Sequence, residues 1–108
     1  MAGGLERGEV RLYQFDRPDK VRPVVVLTRP GSIRSLTKVT IAPITSTVRG
    51  IASEVGLDES DGMKGVCAIN LHNLTTVQQE HLGRRIAKLS EGRLEEICAA
   101  LQYALGCD

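Results

Sequence analysis

A guanidinium and a hydroxyl are the side chains of this sequence best suited to phosphate chemistry. Arg22 opens the aliphatic run Arg22–Thr28, and Thr45 closes a second strand-like run, Lys38–Thr45. If the two runs pair antiparallel with their outer ends aligned, Arg22 lies opposite Thr45. Arginine offers a planar fork of donors that matches a phosphate at two oxygens, and a threonine hydroxyl adds a short third donor. We therefore predict that this pair can bind a phosphate.

Polar side chains follow the pair in the segment after Thr45. Ser46, Thr47 and Arg49 extend a hydroxyl-rich connection that ends in a cation. Phosphodiester cleavage builds negative charge on the phosphoryl oxygens, and fixed donors aimed at that charge lower the barrier. The structural alternative is that Arg22 pairs with Asp16 or Asp19 of the preceding turn while Thr45 merely ends a strand. Spacing alone favours this alternative, because arginines at strand ends are common.

Other catalytic patterns have little support. His72 and His81 are the two imidazoles, and no cysteine or carboxylate cluster surrounds them at metal-ligand spacing, so we expect no metal and no cofactor. Two histidines could in principle cleave RNA by acid–base catalysis. Ordinary surface positions are the simpler interpretation. The acidic segment 58–65 is expected to be a solvated loop.

Length and composition limit the classes of protein that fit. The 108 residues suit one domain, 1–108, and no apolar run is long enough for a membrane span or an export signal, so we expect a cytoplasmic protein. Cys67, Cys98 and Cys107 lack metal or redox spacing, and the first two lie in apolar patterns that predict reduced packing residues. Residues 1–49 carry nine Lys/Arg and four Asp/Glu, whereas residues 50–108 carry five and nine. A basic half suits a polyanion, although an uneven solvated surface is the simpler explanation.

Short strands with turn signals between them dominate the pattern, and one amphipathic helix follows. Apolar residues on both faces of the second strand predict burial on both sides, and Pro43 in the third predicts an edge, a bulge or a bend. Ser90 is a good helix N-cap and Gly106 a good C-terminal cap. The helical stripe should comprise Leu94, Ile97, Leu101 and Leu105, widened by Cys98 and Ala104. The predicted strands are Gly8–Phe15, Arg22–Thr28, Lys38–Thr45, Ile51–Leu57, Val66–Leu71 (continued by Leu74–Val77) and Gly83–Leu89, with helical turns at Ser32–Leu36 and Gln78–Leu82.

This order of segments resembles the MazF/PemK family of toxin endoribonucleases. The resemblance rests on the Arg-Pro before an aliphatic strand, the run Ala-Pro-Ile-Thr-Ser-Thr, and Gly-Arg-Arg-Ile-x-x-Leu-Ser before the helix. It implies an SH3-like β-barrel with a C-terminal helix packed on it. It further implies a homodimer that cleaves single-stranded RNA without a metal and that a cognate antitoxin neutralises.

The resemblance also assigns roles to residues of this sequence. The family's catalytic arginine and threonine fall on Arg22 and Thr45. The implied reaction is attack of a ribose 2′-hydroxyl on the adjacent phosphate, which leaves a 2′,3′-cyclic phosphate and a 5′-hydroxyl. The expected RNA contacts are Lys20, Ser46, Thr47, Arg49, His72 and Asn73.

Two departures from the family pattern bear on RNA recognition. The loop at residues 16–20 is short and lacks the Glu and Gln that many members carry before the Arg-Pro. His72 replaces a carboxylate and Thr75 replaces a basic residue, so we expect a different cleavage sequence. The chain has three aromatic residues, which limits base stacking.

Two other functions fit the same barrel. One is a poison of DNA gyrase, as in CcdB, and the other is a non-catalytic barrel that binds RNA or a peptide. The Arg-Pro and Ile-Thr-Ser segments favour the ribonuclease.

Overall fold

The described residues form seven strands and a long C-terminal helix. The computed structural model describes residues 5–15 and 21–107. The elements are β1 (Glu9–Gln14), β2 (Val21–Val26), α1 (Pro30–Ile33), β3 (Lys38–Thr45), β4 (Glu54–Leu57), β5 (Cys67–Asn70), β6 (Thr75–Gln78), β7 (Arg85–Lys88) and α2 (Glu91–Leu105), with 3₁₀ turns at Glu59–Asp61 and Gln79–His81. The strands pair in the order β4-β5-β3-β2-β1-β7, and β6 pairs with β3 outside this path. The predicted mainly β, SH3-like class with a C-terminal helix is confirmed.

Strand β2 separates two hydrophobic cores. Val24, Val25 and Val26 are each fully buried. Val25 belongs to the core that contains Ile97 of α2, whereas Val24 and Val26 belong to a second core with Ile33 of α1. The predicted burial on both faces is confirmed, because successive side chains of a strand point to opposite faces of the sheet.

The predicted register of β2 and β3 is also confirmed. Val24 pairs with Pro43 and Val26 with Ile41. The same register continued outward places Arg22 opposite Thr45. On its other side, β3 pairs with β6 through Ile41 and with β5 from Ile44 onward. Pro43, which has no N–H to donate, lies between these two segments, where β3 changes partners.

Some element boundaries differ from the prediction. Helix α1 begins at Pro30 rather than Ser32, because a proline's fixed φ suits the first turn of a helix. The weak strand predicted from Ile51 starts only at Glu54, after a turn. Thr75–Gln78 follows β5 along the same side of β3, as predicted, but the Asn-containing turn after Leu71 interrupts the pairing and makes it a separate strand, β6.

Helix α2 begins and ends as predicted. The Ser90 hydroxyl accepts the N–H of Arg93 at 3.2 Å, and Gly106 ends the helix in a left-handed conformation, φ 71°. Ile97 is fully buried, and Leu94 and Leu101 pack against the same core.

The expected helical stripe was too wide. Leu105 is 62% exposed, and Cys98 is exposed although it was predicted to pack. Both lie about 80–100° around the helix from Ile97, at the edge of the buried face. Cys67, by contrast, is buried as predicted. Burial raises the pKa of its thiol, and the charges of Asp61 and Asp58 raise it further.

Two groups of ion pairs connect neighbouring elements, one between β1 and β7 and one between the 3₁₀ turn Glu59–Asp61 and α2. The buried Glu9 carboxylate accepts from Arg11 at 3.0 Å and from Arg85 of β7 at 3.2 Å. Asp61 accepts two hydrogen bonds from Arg93 of α2, at 3.0 and 3.1 Å. No helix within residues 5–15 and 21–107 is long and apolar enough to cross a membrane.

Candidate active site

Arg22 and Thr45 line one small cleft at the outer ends of β2 and β3. Arg22 is exposed and Thr45 is half-buried. The cleft measures about 190 Å³. We call it the polar cleft; its lining residues are Arg22, Pro43, Thr45, Thr47, Arg49, Glu54, Asn70 and Asn73. The juxtaposition expected from strand register is therefore present.

The backbone of each residue is held by a neighbouring strand. Arg22 pairs with Tyr13 of β1, and Thr45 pairs with Ala68 of β5. Pro23 restricts Arg22 to an extended conformation, so the guanidinium projects from a strand end rather than from a loop. A donor whose backbone is held in a strand loses little backbone entropy when it binds a ligand.

The Thr45 hydroxyl is oriented by the turn that follows it. Its Oγ1 accepts the N–H of Thr47 at 3.1 Å. The hydroxyl hydrogen stays available for a ligand oxygen, because no acceptor for it occurs in the described part of the chain. No carboxylate in that part pairs with Arg22 either. Asp16 and Asp19, the alternative partners considered above, lie outside the described residues.

Glu54 shapes the turn that carries Arg49. Its Oε1 accepts the N–H of Arg49 and the N–H of Gly50, each at 3.0 Å. Gly50 has φ +70°, a left-handed conformation that favours glycine. The sequence analysis missed Glu54. The available signal was an acidic residue at the start of β4, shortly after an Arg-Gly turn.

A second, larger cleft shares residues with the first. It measures about 800 Å³ and is also lined by Arg22, Thr45 and Thr47, with Ser46 beside them. We call it the apolar cleft. The other lining residues are largely hydrophobic, apart from Lys64, and include Leu12, Met63, Val66 and Ile86. The sequence analysis did not predict these hydrophobic residues as part of the site.

The two predicted RNA contacts after β5 differ in position. Asn73 lines the polar cleft. His72 is exposed in the same turn, and its Nδ1 lies 2.6 Å from the Oγ of Ser53. His81 lies in the 3₁₀ turn Gln79–His81 and lines neither cleft, so the geometry gives no support to catalysis by two histidines. Lys20 lies outside the described residues, as does the rest of the loop at 16–20.

The acidic segment 58–65 is largely exposed, as expected of a solvated loop, and it contains a structured turn. Asp58 caps the 3₁₀ turn Glu59–Asp61, and hydrogen bonds from the Ser60 hydroxyl and N–H lower the pKa of Asp58. The Asp61 carboxylate forms an ion pair with Arg93. Within the described ranges, no group of three or more His, Cys, Asp or Glu side chains is placed to hold a metal ion.

Comparison with known proteins decides which family this geometry belongs to. Residues 6–105 match the family model of PemK-like, MazF-like toxins of type II toxin–antitoxin systems. The chain belongs to this family. The resemblance inferred from the sequence motifs is thereby confirmed.

Relatives of known name agree with the family model. The probable endoribonuclease MazF5 of Mycobacterium tuberculosis is 41% identical over 102 residues, which cover 94% of this chain and 93% of the relative. The endoribonuclease MazF3 of the same species is 39% identical over 90 residues, 83% of this chain and 87% of the relative.

Solved MazF structures share the fold over almost the whole chain. The M. tuberculosis toxin MazF-mt6 superposes with a TM-score of 0.84 at 36% identity, covering 93% of this chain and 98% of that one. An endoribonuclease from a mycobacterial species, solved in complex with its cognate antitoxin, gives a TM-score of 0.86 at 25% identity, covering 97% and 98%.

Proposed function

We propose that this MazF-family chain is a metal-independent, sequence-selective endoribonuclease acting on single-stranded RNA. The observation that carries the proposal is the placement of Arg22 and Thr45 on one cleft by two paired strands. The relatives named as endoribonucleases support the same assignment.

The reaction is an in-line transfer within the RNA. The ribose 2′-oxygen forms a bond to the adjacent phosphorus, and the bond from phosphorus to the 5′-oxygen breaks. The products carry a 2′,3′-cyclic phosphate and a 5′-hydroxyl, so the 2′-proton is lost and the 5′-oxygen gains one. Arg22 donates hydrogen bonds to phosphoryl oxygens of the scissile phosphate. The Thr45 hydroxyl donates to another oxygen of the same phosphate.

Electrostatic stabilisation is the role we assign to Arg22. An arginine side chain has a pKa above about 12 and is a poor base at neutral pH. The protons therefore move partly through water or through the substrate. Removing one such fixed donor typically slows a reaction by about 10²- to 10³-fold.

Substrate selection rests on polar side chains around the two clefts. The sugar-phosphate backbone of the RNA is contacted by Ser46, Thr47 and Arg49. Asn73 forms a hydrogen bond with the edge of a base. His72 contacts the RNA from the neighbouring position in the turn, and Lys20 contributes a further cation.

The proposed assembly is a homodimer in the cytoplasm, controlled by a cognate antitoxin. Support for control by an antitoxin comes from a structural relative that was solved with its cognate antitoxin. The three cysteines of this chain are free, as expected in a reducing compartment.

Cleavage of a mixed single-stranded RNA pool in EDTA tests the proposal. We expect discrete fragments ending in cyclic phosphate from the wild-type protein and from Arg34→Ala, an exposed arginine that lines neither cleft. Arg22→Ala and Arg22→Lys should each lose about 10²-fold or more in rate, because lysine keeps the charge but lacks the fork. Thermal unfolding should be nearly unchanged. Absence of cleavage by wild type, with gyrase trapped on DNA instead, would replace the proposal by the gyrase poison.

A further inference from the structure

Ser53 is a buried polar side chain that the reaction described above does not use. It is 6% exposed and directly precedes β4. Its carbonyl accepts the N–H of Leu71 at 2.9 Å, and its Oγ lies 2.6 Å from Nδ1 of His72. Main chain and side chain of Ser53 therefore fasten the turn between β5 and β6 to the start of β4.

The contact with the Ser53 hydroxyl bears on which ring nitrogen of His72 carries the hydrogen. In a neutral imidazole one nitrogen donates and the other accepts. If Nδ1 carried the hydrogen, it would donate to Oγ, and the hydroxyl hydrogen would be buried without an acceptor in the described part of the molecule. That arrangement is costly. If Ser53 donates to Nδ1 instead, every buried group is satisfied and the hydrogen resides on Nε2.

His72 does not itself line the polar cleft, but its neighbours in the chain do. The carboxamide Oδ1 of Asn70 accepts the main-chain N–H of His72 at 3.2 Å. Asn70, Asn73 and Glu54, which adjoin His72 or Ser53 closely along the chain, all line that cleft. The ring of His72 is exposed, and its Nε2 has no hydrogen-bond partner among residues 5–15 and 21–107.

We propose that Ser53 is a positioning residue that fixes His72 in the Nε2–H tautomer, so that His72 donates to an acceptor atom of bound RNA. The inference rests on the proposed function. The acceptor is a nucleobase atom such as guanine N7 or O6 or uracil O4, or a phosphate oxygen. An amino group at the same place would be rejected, because two donors would face each other.

The tautomer can be measured without RNA. Nitrogen-15 NMR of His72 in the wild-type protein should show an unprotonated Nδ1 and a protonated Nε2 at neutral pH. Ser53→Ala should give a mixture of tautomers, and Ser53→Thr, which keeps the hydroxyl, should restore the wild-type signature. A protonated Nδ1 in wild type would overturn the proposal whether or not any variant folds.

Sequencing of cleaved RNA ends tests the donor role. Ser53→Ala should lower the preference for the wild-type base at one position by about 10-fold if the acceptor is a base. If the acceptor is a phosphate, KM should instead rise by a similar factor at all sites. Ser53→Thr and the control Ser35→Ala, an exposed serine that lines neither cleft, should behave as wild type.

The two levels of the hypothesis fail separately. If the wild-type protein cleaves RNA but Ser53→Ala leaves both preference and KM unchanged, only the role of Ser53 and His72 is refuted. If the wild-type protein cleaves no RNA, the proposed function itself is refuted.

Discussion

At the residue scale, the Thr45 hydroxyl has two tasks, and substitution tests whether the site needs it. Its oxygen accepts the N–H of Thr47, and its hydrogen is available to the substrate. Thr45→Ser keeps both and should retain most of the activity. Thr45→Val keeps the shape but loses both the donor and the acceptor of the Thr47 N–H, so the cleavage rate should fall by about 10²- to 10³-fold in single-turnover assays. Equal activity of the serine and valine variants would rule out the hydroxyl as a catalytic donor.

The same scale shows what a sequence can predict about a site. Arg22 and Thr45 could be placed together because both end strands whose lengths and apolar faces fix their register. Glu54 and Ser53 could not, because their roles depend on where loops close. Ser53 meets His72 across 19 positions of the chain, and no periodicity links them. Cys98 fitted the apolar pattern of a helix, yet the width of the buried face excluded it.

At the element scale, the helix α2 is stabilised mainly by one buried face. Ile97 is fully buried in the core beneath the sheet, whereas Leu101 is half-buried against it. Ile97→Ala should lower the free energy of unfolding by about 2–5 kcal/mol, and Leu101→Ala by about 2 kcal/mol. Leu105→Ala, at an exposed position of the same helix, should stay within about 0.5 kcal/mol of wild type. Chemical denaturation measures all three, and equal values for Ile97 and Leu105 would contradict this packing.

Element boundaries were harder to predict than element types. The β2–β3 register followed from two strong apolar runs. The separation of β5 from β6 could not be predicted from the sequence, because Leu71 and Leu74 are both apolar and the Asn-containing turn between them could continue or end a strand. Pro30 has a similar ambiguity: a proline breaks a strand and also begins a helix. In the first case the pairing with β3 changes register between β5 and β6, and in the second the first-turn preference of proline decided.

At the scale of the whole molecule, charge by sequence half is a poor guide to the surface. Glu9 in the basic half is neutralised by Arg11 and by Arg85, and Asp61 in the acidic half by Arg93. The cations that remain on the clefts, within the described residues, are Arg22, Arg49 and Lys64. These three, rather than the net charge, should determine the attraction to RNA.

The dependence of RNA affinity on salt measures that attraction. For single strands, each neutralised phosphate contributes about 0.7 to the slope of log affinity against log salt. Arg49→Ala and Lys64→Ala should each weaken binding of an uncleavable RNA and reduce the slope by about 0.7, and the double variant by about 1.4, because the two cations line different clefts and neutralise different phosphates. Arg34→Ala should leave the slope unchanged, since Arg34 lines neither cleft. If Arg49→Ala and Lys64→Ala weaken binding no more than Arg34→Ala does, the RNA must follow a surface other than these two clefts.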